Sequence, residues 1–434
     1  MPGMIEASPP KRLLILCATT GYQTRAFVAA AEKMGLAVVF GSDRCHVLED
    51  PWQDGALPLR FEQPVESARL VTDYARANPL LALVALGDRP TPTTARACEL
   101  LRLPYHPPQA ADACRDKYLS RQRLRSAGLR VPAFARFPVD QDPREILRSG
   151  ALPSDFPCVL KPLALSASRG VIRADDPDQF VRAFERIRAL LRSPEVQVMR
   201  EDTSHFIQVE AYVEGEEVAV EGLVKHGRLK VLAIFDKPDP LVGPFFEETI
   251  YVTPSCLKAE TQAQAIQALE RATEALGLSH GPLHAELRIN ARGVWVLEVA
   301  ARSIGGLCSR ALRFCSPSLG EKISLEELII RLVLGEDVDH VRREPLASGV
   351  MMIPISEAGI FQGAEGVESA RETPGVEDIL ITAKPAQRLE PWPEGSSYLG
   401  FIFARGATPR FVEAALRSAY RKLRFVITPA LPVI

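Results

Sequence analysis

Long apolar runs are missing from this chain. Nowhere in its 434 residues is there an uninterrupted stretch of the about eighteen apolar positions that a membrane-spanning helix needs. An excess of charge of one sign is missing too. Lys and Arg number 52 against 54 Asp and Glu, a net charge of −2, so nothing general draws the chain to nucleic acid or to an anionic membrane, and any basic site must be local. The eight cysteines form no CxxC pair and no Cys/His cluster at zinc spacing, which argues against redox and zinc chemistry and for free thiols in a reducing compartment. The opening "MPGMIEASPP" lacks the basic and apolar regions of a signal peptide, so the expected location is the cytoplasm. Internal repeats and low-complexity segments are also absent. What remains is a chain long enough for roughly two to four domains and a sizeable core.

The beginning reads as α/β. "RLLILCATTGYQTRAFVAAAEKMGLAVVFGS" runs from an apolar strand (Leu13 to Leu16) through a polar turn into a helix that closes at Gly35, then into a second strand (Ala37 to Phe40). This is the βαβ opening of a parallel, Rossmann-like open sheet. Its turn "CATTGYQT" is not GxGxxG, so the dinucleotide reading fails. A third strand, Leu80 to Gly87, leads into another helix, and the Pro-rich "LPYHPPQA" marks a boundary near residue 110. Next comes "CRDKYLSRQRLRSAG", read as one basic helix ending at Gly128. In "FPCVLKPLALSASRGVIRA" a strand bearing Lys161 enters a loop of small residues and returns at Val171 to Arg173. Such a loop lets backbone N–H groups approach an anion, with the lysine as a point charge; an ordinary hairpin whose lysine reaches water reads equally well. The segments Pro177 to Arg192 and Lys258 to Leu276 read as helices. Carboxylates at 210, 214, 216, 217 and 221 alternate along predicted strands, where solvated edge positions are their common fate. The expected division is 1–110, 111–340 with a lid at about 130–208, and a separate α+β unit at 341–434 with a helix at Pro409 to Lys422.

The most informative stretch is "HAELRINARGVWVLEVAARSIGG", His284 to Gly306. A three-residue connection, Ala291-Arg292-Gly293, joins two predicted strands in a recognised hairpin form. Folding about Arg292 sets Asn290 opposite Val294, Arg288 opposite Val296, Glu286 opposite Glu298 and His284 opposite Ala300; a bulge would shift this register by one. Two facing glutamates repel by roughly 0.2 to 1 kcal/mol. A neighbouring Arg288 or Arg302 could offset that, as could a divalent cation, since hard oxygen ligands are what Mg²⁺ takes.

Taken in order, these pieces resemble the ATP-grasp superfamily over most of the chain. The resemblance implies an N-terminal open parallel sheet, an ATP-grasp fold with a lid subdomain, a C-terminal α+β segment, and ATP with Mg²⁺ or Mn²⁺ as cofactors. Lys117 and Lys161 stand where the family's two phosphate-binding lysines stand, and Ser166, Ser168 and Gly170 match its phosphate loop, although this loop is Ser-rich where many relatives are Gly-rich. "EAYVEGEE" has the form of the nucleotide hinge, with Glu210 opening it, Tyr212 and Val213 at the adenine edge and Glu217 on the ribose. The metal pair, twelve residues apart, falls on Glu286 and Glu298. The family's second metal strand usually reads Glu-x-Asn-x-Arg; here it reads Glu298-Val299-Ala300-Ala301-Arg302, so the amide ligand is gone. Imidazole suits Mg²⁺ poorly, which makes His284 a structural residue or a substrate neighbour rather than a replacement ligand.

The strings "IFDKPDP", "FFEETIYVTPS" and "IGGLCSRAL" look most like the L-amino-acid ligase branch of the carboxylate–amine ligases. That likeness implies Arg302 on an acyl phosphate, Glu248 on a substrate ammonium, and His284, Arg302 and Gly306 around the substrate. The expected partners are small-molecule carboxylate and amine substrates, with no nucleic acid and no membrane; assembly into a homo-oligomer is compatible with the sequence. Two other readings stand beside this one, a carboxylase of the biotin-carboxylase kind and a non-catalytic ATP-binding protein.

Overall fold

The computed structural model of the protein describes residues 10–18, 22–43 and 56–430. Strands Arg12–Cys17, Ala37–Ser42, Ala56–Pro58 and Leu80–Leu86 form a parallel sheet with Arg12–Cys17 between Ala37–Ser42 and Leu80–Leu86. Leu13, Leu14, Ile15 and Leu16 are fully buried, which is why this strand reads as continuously apolar rather than alternating. Helices Thr24–Lys33, Pro64–Ala77 and Thr91–Leu101 complete the α/β unit.

The lid is a four-stranded antiparallel sheet in the order Phe134–Pro138, Phe206–Ala211, Cys158–Pro162, Ile172–Ala174. Helix Pro177–Leu191 covers it, with Phe180, Phe184, Ile187 and Leu191 on the buried face at helical spacing.

An antiparallel sheet of eight strands forms the centre. Its order is Gly293–Ala300, Gly281–Asn290, Glu216–Lys225, Arg228–Asp236, Ile250–Thr253, Ala347–Ile353, Gly400–Gly406, Val376–Ile381. The last three come from the C-terminal stretch. That stretch is therefore not walled off as a separate cap: it continues the central sheet through the ladder from Ile250–Thr253 to Ala347–Ile353. Alternation along the strands showed that they exist, but not which open edge they join. Helices Ala259–Leu276 and Pro409–Tyr420 pack on this sheet through residues such as Leu269, Leu276, Val412 and Leu416. Among the described residues no helix is long and apolar enough to cross a membrane, and no disulfide forms.

Two expectations need correction here. The basic segment 114–126 is not one helix. It is broken into Pro108–Arg115 and Lys117–Ser126, because Asp116 leaves the helical conformation and its carboxylate accepts from the N–H groups of Tyr118 (2.8 Å) and Leu119 (3.1 Å). The cap places Lys117 at the first position of the second helix. The carboxylates of the 210–221 stretch are not all solvated either: Glu214 and Glu216 are exposed, but Glu210 and Glu221 are buried and Glu217 is nearly so. Asp116→Ala, by removing the cap, is expected to cost about 1 kcal/mol of stability. Urea denaturation at constant m-value would measure that loss.

Candidate active site

The hairpin register differs from the simple fold-back in an informative way. Glu286 does face Glu298, and His284 faces Ala300, but Arg288 pairs with Trp295 and Asn290 with Gly293. A bulge at Leu297 separates the two registers, and the turn tightens to Ala291-Arg292. The bulge frees the Leu297 carbonyl, which accepts from the guanidinium of Arg121. On the next strand His284 pairs with Glu221, Glu286 with Ala219 and Arg288 with Glu217. Pairing and alternation thus put Glu217, Glu221, His284, Glu286, Arg288, Glu298 and Ala300 on one face.

At the centre of this face lies an acidic cluster. Glu217, Glu248 and Glu286 each bring an oxygen to within 4.8 Å of the others. Lys237 stands among them, its ammonium 2.7 Å from Glu217, 3.5 Å from Glu286 and ion-paired with Glu248, and it lies 5.2 Å from the Tyr251 ring centre. Arg288 takes the other Glu217 oxygen at 2.8 Å and the Val213 carbonyl at 2.6 Å. The direct ion pairs of the two arginines offered by the sequence lie elsewhere, Arg288 on Glu217 and Arg302 on Asp88, although the charge of Arg302 also acts on Glu298; Lys237 is the cation beside Glu286. Compensation there is incomplete. Burial, reinforced by Glu248, Glu217 and Glu298 and opposed by Lys237, pushes the Glu286 carboxyl up to about 8. Carboxylate oxygens on rigid strands, in excess over the local cations, are a donor set that fits Mg²⁺ or Mn²⁺.

The lid side carries the basic residues. Lys161 pairs with Glu210 at 2.7 Å. Burial of Glu210 works against ionisation, yet Arg121 and Lys161 hold its carboxyl down at about 2. Lys117 donates to the Leu165 carbonyl at 2.8 Å. In the loop beyond, Ser166 is exposed, and Ser168 (φ 55°) and Gly170 (φ 73°) occupy the left-handed region. A Cβ on Gly170 would stand 3.0 Å from Leu190 and Pro162 side-chain atoms, and its N–H donates to the Pro393 carbonyl at 2.7 Å. At the hinge, Val213 is buried, and the Tyr212 ring lies under Arg173 at 4.2 Å and Arg288 at 5.3 Å.

Around the other end of the acidic face, Arg302 grips Asp88 of the N-terminal sheet. His284 is buried with Nδ1 3.1 Å from Glu221. Burial pushes His284 well below and Glu221 well above their ordinary ranges. His284 is thus engaged with Glu221 behind Ala300. Gly306 (φ 60°) approaches Phe401, where a Cβ would come within 3.3 Å. The fold therefore brings Glu217, Glu248 and Glu286 to one place, with Glu298 facing Glu286 across the hairpin, Lys161 paired with Glu210 toward the lid and Lys117 on the Leu165 carbonyl.

Sequence reasoning missed Lys237, Asp88, Arg121 and Glu221 as members of the site. Lys237 sat in the quoted "IFDKPDP", a lysine directly after an apolar strand. Asp88 sat in "GDRPTPTT", where a polar turn follows a buried parallel strand and ligands commonly gather. Arg121 carried no local signal, being one of several arginines on a basic helix.

Comparison with known proteins bears on this arrangement. An ATP-grasp domain model matches residues 154–311, an ATP-grasp N-terminal domain model 28–105, and an L-amino acid ligase C-terminal domain 2 model 351–428. The crystal structure of an L-amino acid ligase from Bacillus licheniformis superposes with a TM-score of 0.80 at 26% identity, covering 97% of this chain and 100% of that one. Alanine–anticapsin ligase of Bacillus subtilis (strain 168) is 31% identical over 303 residues, 65% of this chain and 62% of the ligase; the chain thus spans somewhat under two thirds of that relative. The biotin carboxylase domain of the Hydrogenobacter thermophilus 2-oxoglutarate carboxylase shares the fold alone, with a TM-score of 0.66 at 15% identity, covering 95% of this chain and 90% of that one.

Fold and acidic face together define an ATP-grasp protein. Within that superfamily, the C-terminal match and the full-length superposition put the chain in the L-amino acid ligase branch.

A carboxyl that keeps its proton until about pH 8 must release it when a cation binds. Adding Mg²⁺ to the metal-free protein in weak buffer at about pH 6.5 is expected to release protons, and the same titration of Glu286→Gln to release far fewer. Equal release from both proteins would remove Glu286 from the metal site.

Proposed function

We propose that the protein is an ATP- and Mg²⁺-dependent carboxylate–amine ligase. It would join small amino-acid-like substrates by an amide or peptide bond through an acyl phosphate, with release of ADP and orthophosphate. The observation that carries this reading is the under-compensated acidic face: Glu286 and Glu298 opposed on adjacent strands, with Glu217 and Glu248 beside them and Lys237 and Arg288 as the cations in contact. When bound, Mg²⁺ supplies neutralisation of phosphate charge during transfer, and Glu286 and Glu298 are the residues to hold it. The space at Ala300, where relatives carry an amide ligand, suits a water, which Mg²⁺ commonly retains.

The chain's own residues do the rest by position and charge. The hinge from Glu210 to Glu217 receives base and ribose, with Tyr212 and Val213 at the adenine edge. Lys117, Lys161 and the loop of Ser166, Ser168 and Gly170 restrain the inner phosphates. Arg302 faces the transferred phosphoryl group, because a guanidinium offers a fixed fork to phosphate or carboxylate. Glu248 and Gly306 border the substrates, and Glu248, already held by Lys237, meets an incoming ammonium as part of a charged pair. His284 acts at one remove, through Glu221. The division 1–110, 111–340 and 341–434, with the lid at about 130–208, describes these roles, and the cytoplasm is the compartment that fits the thiols.

The ligase reading is favoured over a carboxylase by the L-amino acid ligase match at residues 351–428, since likeness to the carboxylase is one of fold only. It is favoured over non-catalytic binding because Glu286, Glu298 and Arg302 are all present.

Screening pairs of L-amino acids with ATP and Mg²⁺ is expected to release ADP and phosphate only with a productive pair. Hydroxylamine in place of the amine should trap a hydroxamate. Stoichiometric AMP and pyrophosphate would refute the reading. Glu298→Gln should lower turnover by roughly 100-fold or more while leaving the melting temperature within a few degrees, because it removes a charged ligand and keeps the shape. Near-normal activity would take Glu298 out of the metal site.

A further inference from the structure

The N-terminal unit reaches Arg302 of the proposed site through Asp88. Asp88 lies on the turn after strand Leu80–Leu86, and its two oxygens accept from Arg302 Nε at 2.9 Å and Nη2 at 3.1 Å. Nη1 of the same arginine donates to the Ser303 carbonyl at 2.9 Å. The side chains of Arg302 and Asp88 are 13% and 15% exposed. The peptide behind Arg302 is fixed as well: the Ile304 N–H donates to Glu221 at 3.0 Å, and the Ile304 carbonyl accepts from Gln23. The loop backbone is thus pinned independently, which leaves Asp88 and the Ser303 carbonyl to set the direction of the guanidinium.

Counting donors shows what that direction is for. A guanidinium carries five N–H bonds, of which Asp88 takes two and Ser303 one. One N–H remains on each terminal nitrogen, enough to grip a second oxyanion. We propose that Asp88 is a positioning residue for Arg302: by holding the Nε edge it aims the two remaining N–H groups at the phosphoryl group being transferred. The N-terminal domain then shapes a reaction it does not touch. This rests on the reading above that Arg302 faces the acyl phosphate. The anionic state of Asp88 accords with it. Burial opposes ionisation, but Arg302, with Arg115 and Lys117 further off, holds the carboxyl down at about 2, so Asp88 stays charged through the neutral range.

The test uses the full chain with a substrate pair found by the screen. Asp88→Ala is expected to lower kcat roughly 100-fold, as loss of orientation by about an ångström does, while ATP affinity measured by equilibrium dialysis is unchanged. Added formate, filling the space of the lost carboxylate, should restore activity about tenfold in Asp88→Ala and not at all in Arg302→Ala. Asp88→Asn keeps the shape and should show a comparable kcat loss without formate rescue, which settles the matter if the alanine variant folds poorly. Undiminished or increased activity in Asp88→Ala, or a loss that formate leaves unchanged, would overturn the proposal.

A second measurement needs no turnover. The Arg302 Nε–H resonance, identified by its loss in Arg302→Lys, should exchange slowly in the wild type, quickly in Asp88→Ala, and slowly again with formate. Unaltered exchange in Asp88→Ala would also overturn the proposal. If no substrate pair yields ADP, the ligase reading falls, and the exchange measurement still decides whether Asp88 holds Arg302.

Discussion

A buried guanidinium joins the lid sheet to the central hairpin. Arg121, 2% exposed, donates through Nε to Glu210 on the lid strand Phe206–Ala211 and through Nη2 to the Leu297 carbonyl in the central hairpin. A charge buried this deeply must find partners, because an uncompensated one costs about 3 to 5 kcal/mol. Here the partners lie in different sheets. The Leu297 carbonyl is available because the bulge removes Leu297 from the ladder. The same bulge sets the outer half of the hairpin one residue out of step with the half that carries Glu286 and Glu298. Lid attachment and the opposition of the two glutamates are therefore consequences of one irregularity.

The two groups of carboxylates either side of that joint are balanced differently. Glu210 meets Arg121 and Lys161 and remains ionised at any ordinary pH. Glu286 has only a share of Lys237, with three other carboxylates acting on it, and is pushed up. Desolvation is common to both, so the difference lies in the number of cations supplied. A compensated group holds structure together, whereas one left short of positive charge is poised to take a cation from outside. The completed ion pairs thus lie where the sheets meet and the incomplete set lies on the acidic face.

Much of this was legible in the sequence, for identifiable reasons. Strand Arg12–Cys17, helix Ala259–Leu276 and helix Pro409–Tyr420 carry their periods openly, whereas the Glu286/Glu298 pairing came out as read because the shorter turn and the bulge at Leu297 offset one another. The break at Asp116 was missed because the charged residues around it mask a capping side chain within what looks like one helix. The roles of Lys237 and Asp88 could not be read, since their partners lie up to 49 and 214 positions away and only tertiary folding brings them together. The C-terminal strands were seen as strands but misplaced, because alternation reports which face is buried and carries no information about which edge is joined.

That last point changes how the molecule is understood to work. Strand Ile250–Thr253, which follows Glu248 and carries Tyr251, pairs on one side with Arg228–Asp236 and on the other with Ala347–Ile353 from the C-terminal stretch. The substrate face is therefore built at a seam between two parts of the chain. The same stretch also reaches the lid: Pro393 accepts from the Gly170 N–H, and Glu394 takes Arg169 through its carbonyl and Arg186 through its carboxylate. The loop proposed to restrain phosphates is thus tied to the stretch that flanks strand Ile250–Thr253. The C-terminal stretch pairs with the central sheet on one side and hydrogen-bonds to the lid on the other, rather than standing apart as a unit.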